Sequence, residues 1–178
     1  IMNRNLSTDK KILLIGSGET NTLVGKFLLK YGFHNVAIYN RSIDNARALS
    51  DMLDAPSYHL KELSDVAGAF DVVFVCTSAN QVIVDVDLYK TMLNGSQDEK
   101  IIIDLAVPRN VSEDVVRLYN VDYVDIEALR QESEKNLAFR KKEMEKAKPI
   151  ILRNIAAFHN IIQQRQIEKA LSKVPAEI

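Results

Sequence analysis

Residues 10–25, KKILLIGSGETNTLVG, are the stretch that decides the fold. Positions 12–15 form a continuous apolar run, which is typical of a strand buried on both faces of a parallel sheet. Positions 16–18 break this run, and residues 20–22 can cap the helix that follows. A strand, a glycine corner and a helix start leave backbone N–H groups pointing out of a helix N-terminus. Such an end attracts a phosphate group.

The glycine corner reads G-x-G-x-x-N, whereas the full dinucleotide-binding fingerprint is G-x-G-x-x-G/A. A purely structural strand-to-helix turn stays an alternative, because so short a motif often matches by chance. Leu23, Val24, Phe27 and Leu28 continue the helix after the corner at i, i+1, i+4 and i+5 spacing, as in an amphipathic helix. A second apolar strand, residues 36–39, follows and ends where the fingerprint expects the residue that binds the ribose. This context favours a dinucleotide site.

Asn40, Arg41 and Ser42 stand at that ribose position. An NAD enzyme would have Asp or Glu there to accept from the 2′-hydroxyl, whereas a guanidinium with neutral donors beside it suits a 2′-phosphate. The sequence therefore predicts NADP rather than NAD. The alternative is that Arg41 is simply solvated and that Ser42 only caps the next helix.

Composition limits the class of protein. A chain of 178 residues with 47% hydrophobic residues has room for one domain of about 100–150 residues and an appendage. The formal net charge of −1 argues against non-specific binding of polyanions by the chain as a whole. One cysteine, no long apolar stretch and no signal-peptide pattern predict a reducing compartment without membrane insertion, most simply the cytoplasm. No metal site is predicted.

Four further runs predict strands, at residues 57–60, 72–76, 101–106 and 121–124. Six short strands alternating with helices predict an α/β fold. It should be a Rossmann-type, doubly wound parallel sheet in the order 3-2-1-4-5-6, within a domain of residues 1–126.

The loop after the fourth strand should lie beside the cofactor, because open parallel sheets bind ligands at the carboxyl ends of their strands. Thr77 and Ser78 could offer hydroxyls to the ribose or the carboxamide, and an ordinary turn is the equal alternative. Cys76 ends an apolar run with no basic neighbour, which indicates a buried small hydrophobe rather than a nucleophile.

From about residue 127 to 178 the composition changes and strand-like runs end. The apolar positions at seven-residue spacing are Leu137, Met144, Ile151 and Phe158. They define one seam on a helix of some 40 residues, which should meet a partner helix or another domain. Pro149 predicts a bend near Lys148. The charged segment 132–148 is interpreted as a solvated face, with RNA contact as the alternative.

Together, several segments resemble the glutamyl-tRNA reductase family. They are ILLIGSGETNTLVGKFL at 12–28, the pair Asn40 and Arg41, IIIDLAVPRNV at 101–111, and NLAFRKKEMEKAKPIILRNIAAF at 136–158. The DLAVPR motif followed by a long helix is far more specific than the glycine corner. Shikimate-dehydrogenase-like domains share the Asn-Arg ending of the second strand but not the helix.

This resemblance implies a subunit of three parts. In an N-terminal domain a cysteine thiolate attacks the ester of glutamyl-tRNA(Glu). NADPH on the central domain then reduces the thioester to glutamate 1-semialdehyde, a precursor of tetrapyrroles (porphyrins and heme), and a C-terminal bundle forms a homodimer. The present chain would be the central domain, the connecting helix and the start of the dimerisation region, with no catalytic residue of its own. The resemblance also implies glutamate-1-semialdehyde aminomutase as a channelling partner.

The predicted cofactor-binding residues form three groups. Those for the pyrophosphate are Gly16, Ser17, Gly18, Glu19, Thr20 and Asn21; those for the 2′-phosphate are Asn40, Arg41 and Ser42; those beside the nicotinamide are Thr77, Ser78 and Val107. Two residues depart from the family pattern. Asn21 replaces the third small residue and should disturb close helix packing, and Ser78 stands where the family usually has Gly. A nucleotide-sensing regulatory module and a non-binding Rossmann scaffold stay as alternative functions.

Overall fold

A computed structural model describes residues 6–66 and 68–171, the side chains at positions 156, 170 and 171 aside. The strands are β1 (Ile12–Ile15), β2 (Val36–Asn40), β3 (Ser57–His59), β4 (Val72–Val75), β5 (Lys100–Asp104) and β6 (Val121–Asp125). The helices are α1 (Glu19–Lys30), α2 (Ile43–Leu53), α3 (Val86–Leu93), α4 (Glu113–Leu118) and α5 (Ile126–Leu171), with a 3-10 helix at Leu60–Val66. The outer ends of the two predicted regions, at 1–5 and 172–178, lie outside the described residues.

The six strands form one parallel sheet in the order β3-β2-β1-β4-β5-β6, as predicted. The register pairs Ile15 of β1 with Tyr39 of β2 and with Val75 of β4. The carboxyl ends of these three strands are therefore level. This register brings the segments after positions 15, 39 and 75 to one edge of the sheet.

Both faces of the sheet are covered, and β1 is fully buried over its whole length. One apolar cluster contains Leu13 and Ile15, and the other contains Ile12 and Leu14. Alternate residues of the strand therefore point into different layers. The continuous apolar run of β1 follows from burial on both faces.

Helix α1 buries only part of its apolar stripe, since Leu28 is buried and Val24 is half-buried. Leu23 and Phe27 are 55% and 48% exposed, whereas Asn21, Gly25 and Leu28 are buried. A Cβ on Gly25 would lie 3.0 Å from Leu53 Cδ2 of α2, so the two helices approach closely at this glycine. The apolar positions alone did not indicate this face, because the buried stripe contains an amide and a glycine.

The start of α1 also differs from the prediction. The N-cap is Gly18, and no side chain caps the helix, so capping by residues 20–22 is wrong. The Thr22 hydroxyl instead donates back to the carbonyl oxygen of Gly18, at 3.0 Å. Ser42 is the N-cap of α2 as expected, although its side chain makes no capping hydrogen bond.

Helix α5 begins after Asp125, whose carboxylate accepts a hydrogen bond from the Ala128 N–H at 2.8 Å. It continues through Pro149 without interruption, and the bend near Lys148 stays a prediction. The predicted seam residues are exposed by 57–62%. The chain forms two compact units, one up to Leu129 and one from Arg130. No helix in the described part of the chain is both long and apolar enough to cross a membrane.

Candidate functional site

A cleft of about 730 Å³ lies at the carboxyl ends of β1, β2 and β4. Its volume is within the range of small-molecule and cofactor sites. It is lined by Gly16, Ser17, Gly18, Glu19, Thr20, Tyr39, Asn40, Arg41, Ser42, Asn45, Leu60, Cys76, Thr77, Ser78, Ala79, Gln81 and Ile83. The structure thus brings together ten of the twelve predicted cofactor-binding residues; the two that do not line the cleft are Asn21 and Val107.

The glycine corner forms the floor of the cleft. Gly16 has φ +99°, and its N–H donates to the Tyr39 carbonyl oxygen at 2.8 Å. A Cβ at this position would overlap the Cys76 carbonyl oxygen, so only glycine fits. Gly18 is different, because no atom lies within 4 Å of the place where its Cβ would be. The corner therefore leaves open space in front of the first N–H groups of α1, which have no intrahelical acceptors.

Asn21 lies behind the corner rather than in the cleft. Its side chain is fully buried, and Nδ2 donates to the carbonyl oxygens of Ile15 (2.9 Å) and Gly16 (2.8 Å). Asn21 nevertheless ties α1 to the end of β1 through these two hydrogen bonds, although its buried Oδ1 has no hydrogen-bond partner among the described residues. The side chain consequently offers no contact to a pyrophosphate.

Arg41 supplies the positive charge of the cleft. It is exposed, and no hydrogen bond or ion pair of Arg41 is found among the described residues. Beside it, Asn40 Nδ2 donates to the Ser42 carbonyl oxygen at 2.9 Å, which shapes the turn after β2. Glu19, at the first turn of α1, is the one carboxylate among the lining residues. Arg41 is therefore free to pair with an anionic ligand.

Tyr39 forms part of the wall next to Arg41. Its ring stacks on the ring of Tyr58, with centroids 5.2 Å apart. Burial, and then the neighbouring Tyr58, raise the pKa of Tyr39 above its ordinary value. The phenol therefore stays neutral and adds no negative charge to the side of the cleft that carries Arg41.

The other side of the cleft is held by a buried carboxylate on β5. Asp104 is fully buried and accepts from the N–H groups of Ala106 (3.0 Å), Asn110 (2.9 Å) and Val111 (2.9 Å). The Tyr123 hydroxyl lies 3.4 Å from the same carboxylate. Burial, followed by the negative charge of Asp104, raises the pKa of Tyr123. Tyr123 therefore stays protonated as a donor, and the loop after β5 is fixed in place.

Val107 is not among the residues that line the cleft, and its place beside the nicotinamide stays a prediction. Val107 is 79% exposed. It lies in the loop after β5, whose backbone N–H groups donate to the Asp104 carboxylate. The peptide bond between Val107 and Pro108 is cis. Arg109 is also turned to other partners, since its guanidinium pairs with Glu113 at 3.2 Å and with Asp125 at 2.6 Å. The segment 101–111 therefore contributes to the cleft through Asp104 and Asn110 rather than through Val107.

Cys76 is only partly buried and lines the cleft, so its interpretation as a buried hydrophobe is wrong. β4 ends at Val75, one residue earlier than the apolar run suggests. The thiol lies 3.8 Å from the Leu105 carbonyl oxygen, as a weak donor. Cys76 therefore borders the ligand space, and the Leu105 carbonyl oxygen is the one hydrogen-bond partner found for its thiol among the described residues.

Sequence reasoning missed several lining residues, namely Tyr39, Asn45, Leu60, Ala79, Gln81 and Ile83. Two of them carried a usable signal. Leu60 directly follows β3, where the rule about carboxyl ends also applies. Asn45 lies in the first turn of α2, directly after the residues predicted for the 2′-phosphate. Among the described residues, no group of three or more His, Cys, Asp or Glu side chains could hold a metal ion.

A parallel sheet in this order, with a glycine corner at the point where the strand order reverses, defines a Rossmann-type domain. The chain belongs to the shikimate / quinate 5-dehydrogenase family, which matches residues 2–132. That match ends near the start of α5, in keeping with the expectation that such domains lack the long helix.

The similarity to glutamyl-tRNA reductases extends over most of the chain, the segment of the long helix included. The protein of that name from Chlorobium phaeobacteroides is 33% identical over 169 residues, which is 94% of this chain and 40% of the relative. Glutamyl-tRNA reductase from Methanopyrus kandleri superposes with a TM-score of 0.79 at 27% identity, covering 93% of this chain and 47% of that one. The nucleotide-binding domain of glutamyl-tRNA reductase from Thermoplasma volcanium shares the fold, with a TM-score of 0.58 at 24% identity over 74% of this chain and 86% of that one. The present chain spans about 40% of the length of its curated relatives.

Proposed function

We propose that this chain is the NADPH-binding domain and connecting helix of a glutamyl-tRNA reductase, the enzyme that reduces glutamyl-tRNA(Glu) to glutamate 1-semialdehyde for tetrapyrrole synthesis. The relatives named above support the family of the whole protein. The observation that carries the cofactor assignment is that Arg41 and the glycine corner line the same cleft. A free guanidinium directly after β2, where the fingerprint places the ribose-binding residue, suits a 2′-phosphate better than a 2′-hydroxyl.

The residues present fit NADPH. Gly18 leaves room for a pyrophosphate, and the first turn of α1 offers backbone N–H donors to it. Arg41 would pair with the 2′-phosphate, while Asn40 shapes the turn that presents it. Thr77 and Ser78 would border the nicotinamide half. The bound cofactor supplies the hydride, and this domain supplies position and electrostatics.

The rest of the reaction is assigned to the whole enzyme. Its partners would be glutamyl-tRNA(Glu), a second subunit and, for transfer of the product, glutamate-1-semialdehyde aminomutase, all in the cytoplasm. The one cysteine of the sequence, Cys76, lies beside the glycine corner and donates to Leu105, which does not suit it to attack an ester. We therefore expect this chain by itself to bind NADPH and to reduce nothing.

Arg41→Ala is expected to weaken NADPH binding by roughly tenfold to a hundredfold, because a charge-assisted hydrogen bond contributes about 1.5–3 kcal/mol. NADH binding should change by less than about twofold, since NADH lacks the 2′-phosphate. Titration calorimetry of both nucleotides on both proteins measures this difference.

Arg47→Ala is the matched control. Arg47 lies on α2, with 70% of its side chain exposed and an ion pair to Asp44 at 3.2 Å, and it does not line the cleft. Its removal should leave both affinities within about twofold. Equal affinity of the native chain for NADPH and NADH would remove the 2′-phosphate assignment. Failure of any dinucleotide to raise the melting temperature would instead favour a non-binding scaffold.

The thiol of Cys76 offers an independent measure of cleft occupancy. Because Cys76 lines the cleft and is the one cysteine of the chain, its reaction with an aromatic disulfide reagent reports on this site alone. Saturating NADPH is expected to slow that reaction by at least about tenfold, since only the empty cleft admits the reagent. Cys76→Ser provides the blank. A rate that does not respond to NADPH would place the nucleotide elsewhere.

A further inference from the structure

One polar network joins the loops after β4 and β5. The Asn110 side chain is fully buried, and its Nδ2 donates to the carbonyl oxygens of Ala79 (3.0 Å) and Gln81 (2.9 Å). Its Oδ1 lies 2.7 Å from the Thr77 hydroxyl. The Asn110 backbone is engaged as well, because its N–H donates to Asp104 and its carbonyl accepts from the Ile83 N–H at 2.7 Å.

These contacts fix the orientation of the Asn110 amide. If Oδ1 and Nδ2 were exchanged, the oxygen would face the carbonyl oxygens of Ala79 and Gln81 with no hydrogen between them. The oxygen of the amide must therefore face Thr77. Since that oxygen carries no hydrogen, the Thr77 hydroxyl has to donate its single proton to it.

The hydrogen-bonding capacity that Thr77 has left is a single acceptor position. A hydroxyl has one proton and two lone pairs, and one lone pair accepts from the Ala79 N–H at 3.1 Å. Thr77 also lines the cleft. Toward a ligand its hydroxyl can therefore accept a hydrogen bond but not donate one.

We infer that the Thr77 hydroxyl accepts a hydrogen bond from the nicotinamide half of NADPH. Asn110 is the positioning residue, because it takes the Thr77 proton and so makes Thr77 an acceptor toward the ligand. The inference rests on the proposed function. Arg41 follows β2 and Thr77 follows β4, on opposite sides of β1. With the 2′-phosphate at Arg41 and the pyrophosphate at the glycine corner, the second nucleoside lies at Thr77. The donors it carries are the carboxamide amino group and the ribose hydroxyls.

Thr77→Val keeps the shape of the side chain and removes the acceptor. We expect it to weaken NADPH binding by about threefold to tenfold, the effect of one hydrogen bond, in titration calorimetry. Binding of adenosine 2′,5′-bisphosphate, which has no nicotinamide half, should stay within about twofold. Thr77→Ser, the matched control, keeps the hydroxyl and should bind both ligands as the native chain does.

An analogue of NADPH with 3-acetylpyridine in place of nicotinamide distinguishes the two donors, because a methyl group replaces the amino group. If Thr77→Val removes a preference of the native chain for NADPH over this analogue, the donor is the carboxamide. If Thr77→Val weakens both to the same extent, the donor is a ribose hydroxyl. Either outcome supports the inference.

The role of Asn110 is tested by a double-mutant cycle with Thr77→Val. Asn110→Ala should weaken NADPH binding in the native background and add less than about twofold in the Thr77→Val background, with retained bisphosphate binding as the measure of folding. Additive losses would overturn the role of Asn110. The inference about Thr77 fails if Thr77→Val leaves the NADPH affinity unchanged, or if it weakens NADPH and adenosine 2′,5′-bisphosphate equally. A native chain that binds neither ligand contradicts the proposed function instead.

Discussion

Replacing Gly16 by alanine is expected to destabilise the sheet domain by more than about 4 kcal/mol and to abolish dinucleotide binding. The backbone at Gly16 has φ +99°, which costs an L-residue about 1–2 kcal/mol. The added methyl would also overlap the Cys76 carbonyl oxygen and lie 3.3 Å from Thr77 Cγ2. Neither backbone can move away easily, because Gly16 donates to Tyr39 and Cys76 donates to Ile15 at 2.9 Å. Urea unfolding followed by circular dichroism measures the loss of stability.

Gly18→Ala is the control within the same motif. Gly18 has φ −75°, which alanine adopts without strain, and nothing lies within 4 Å of the added methyl. As a change of N-cap residue it should cost about 1 kcal/mol or less. NADPH affinity should nevertheless fall by at least about tenfold, because the methyl enters the space where the pyrophosphate would lie. Equal stability of the two variants would contradict the different roles assigned to the two glycines.

Replacing Asp104 by asparagine is expected to destabilise the domain by about 3 kcal/mol or more, and to lower the melting temperature by roughly 10 °C. One carboxylate oxygen accepts from Ala106, and the other accepts from Asn110 and Val111. Whichever oxygen becomes an amino group, at least one buried N–H then faces another donor. Leaving such a group unsatisfied costs about 1–3 kcal/mol, and the charge of the acceptor is lost as well.

Asp51→Asn is the matched control for this substitution. Asp51 is exposed on α2, where loss of a charge should change the stability by less than about 0.5 kcal/mol. In Asp104→Asn the NADPH affinity should also fall, because the loop that positions Asn110 loses its anchor. A melting temperature within about 2 °C of the native value would show that the Asp104 hydrogen bonds do not stabilise the loop.

The architecture could be predicted in detail because its signals are local. β1 and β4 are continuous apolar runs, and each is followed by a glycine or a polar loop. Once six such strands alternate with helices, the handedness of the crossover connections leaves few strand orders, and 3-2-1-4-5-6 was among them. Helix α1 shows the limit of this reasoning. Its buried face contains Asn21 and Gly25, which a count of apolar residues does not select.

Site residues could be predicted where they directly follow the carboxyl end of a strand and line the cleft themselves. Arg41 and Thr77 are of this kind, since each follows a strand of known place in the sheet. Residues that act through others could not be found in the same way. Asn110 is 33 residues from Thr77 along the chain, and nothing in its neighbourhood indicates that its amide receives the Thr77 proton.

The amino-acid sequence by itself determined the alternation of strands and helices, the glycine corner and the cation that follows β2, because apolar periodicity, glycine and charge are properties of short segments. Only the tertiary structure decided that Asn21 supports the corner from behind, that Val107 lies outside the cleft, and that Asp104 and Asn110 set the polarity of Thr77. The physical reason is that a hydrogen bond between distant residues depends on distance and direction in space. Those are fixed only when the sheet brings the ends of its strands together.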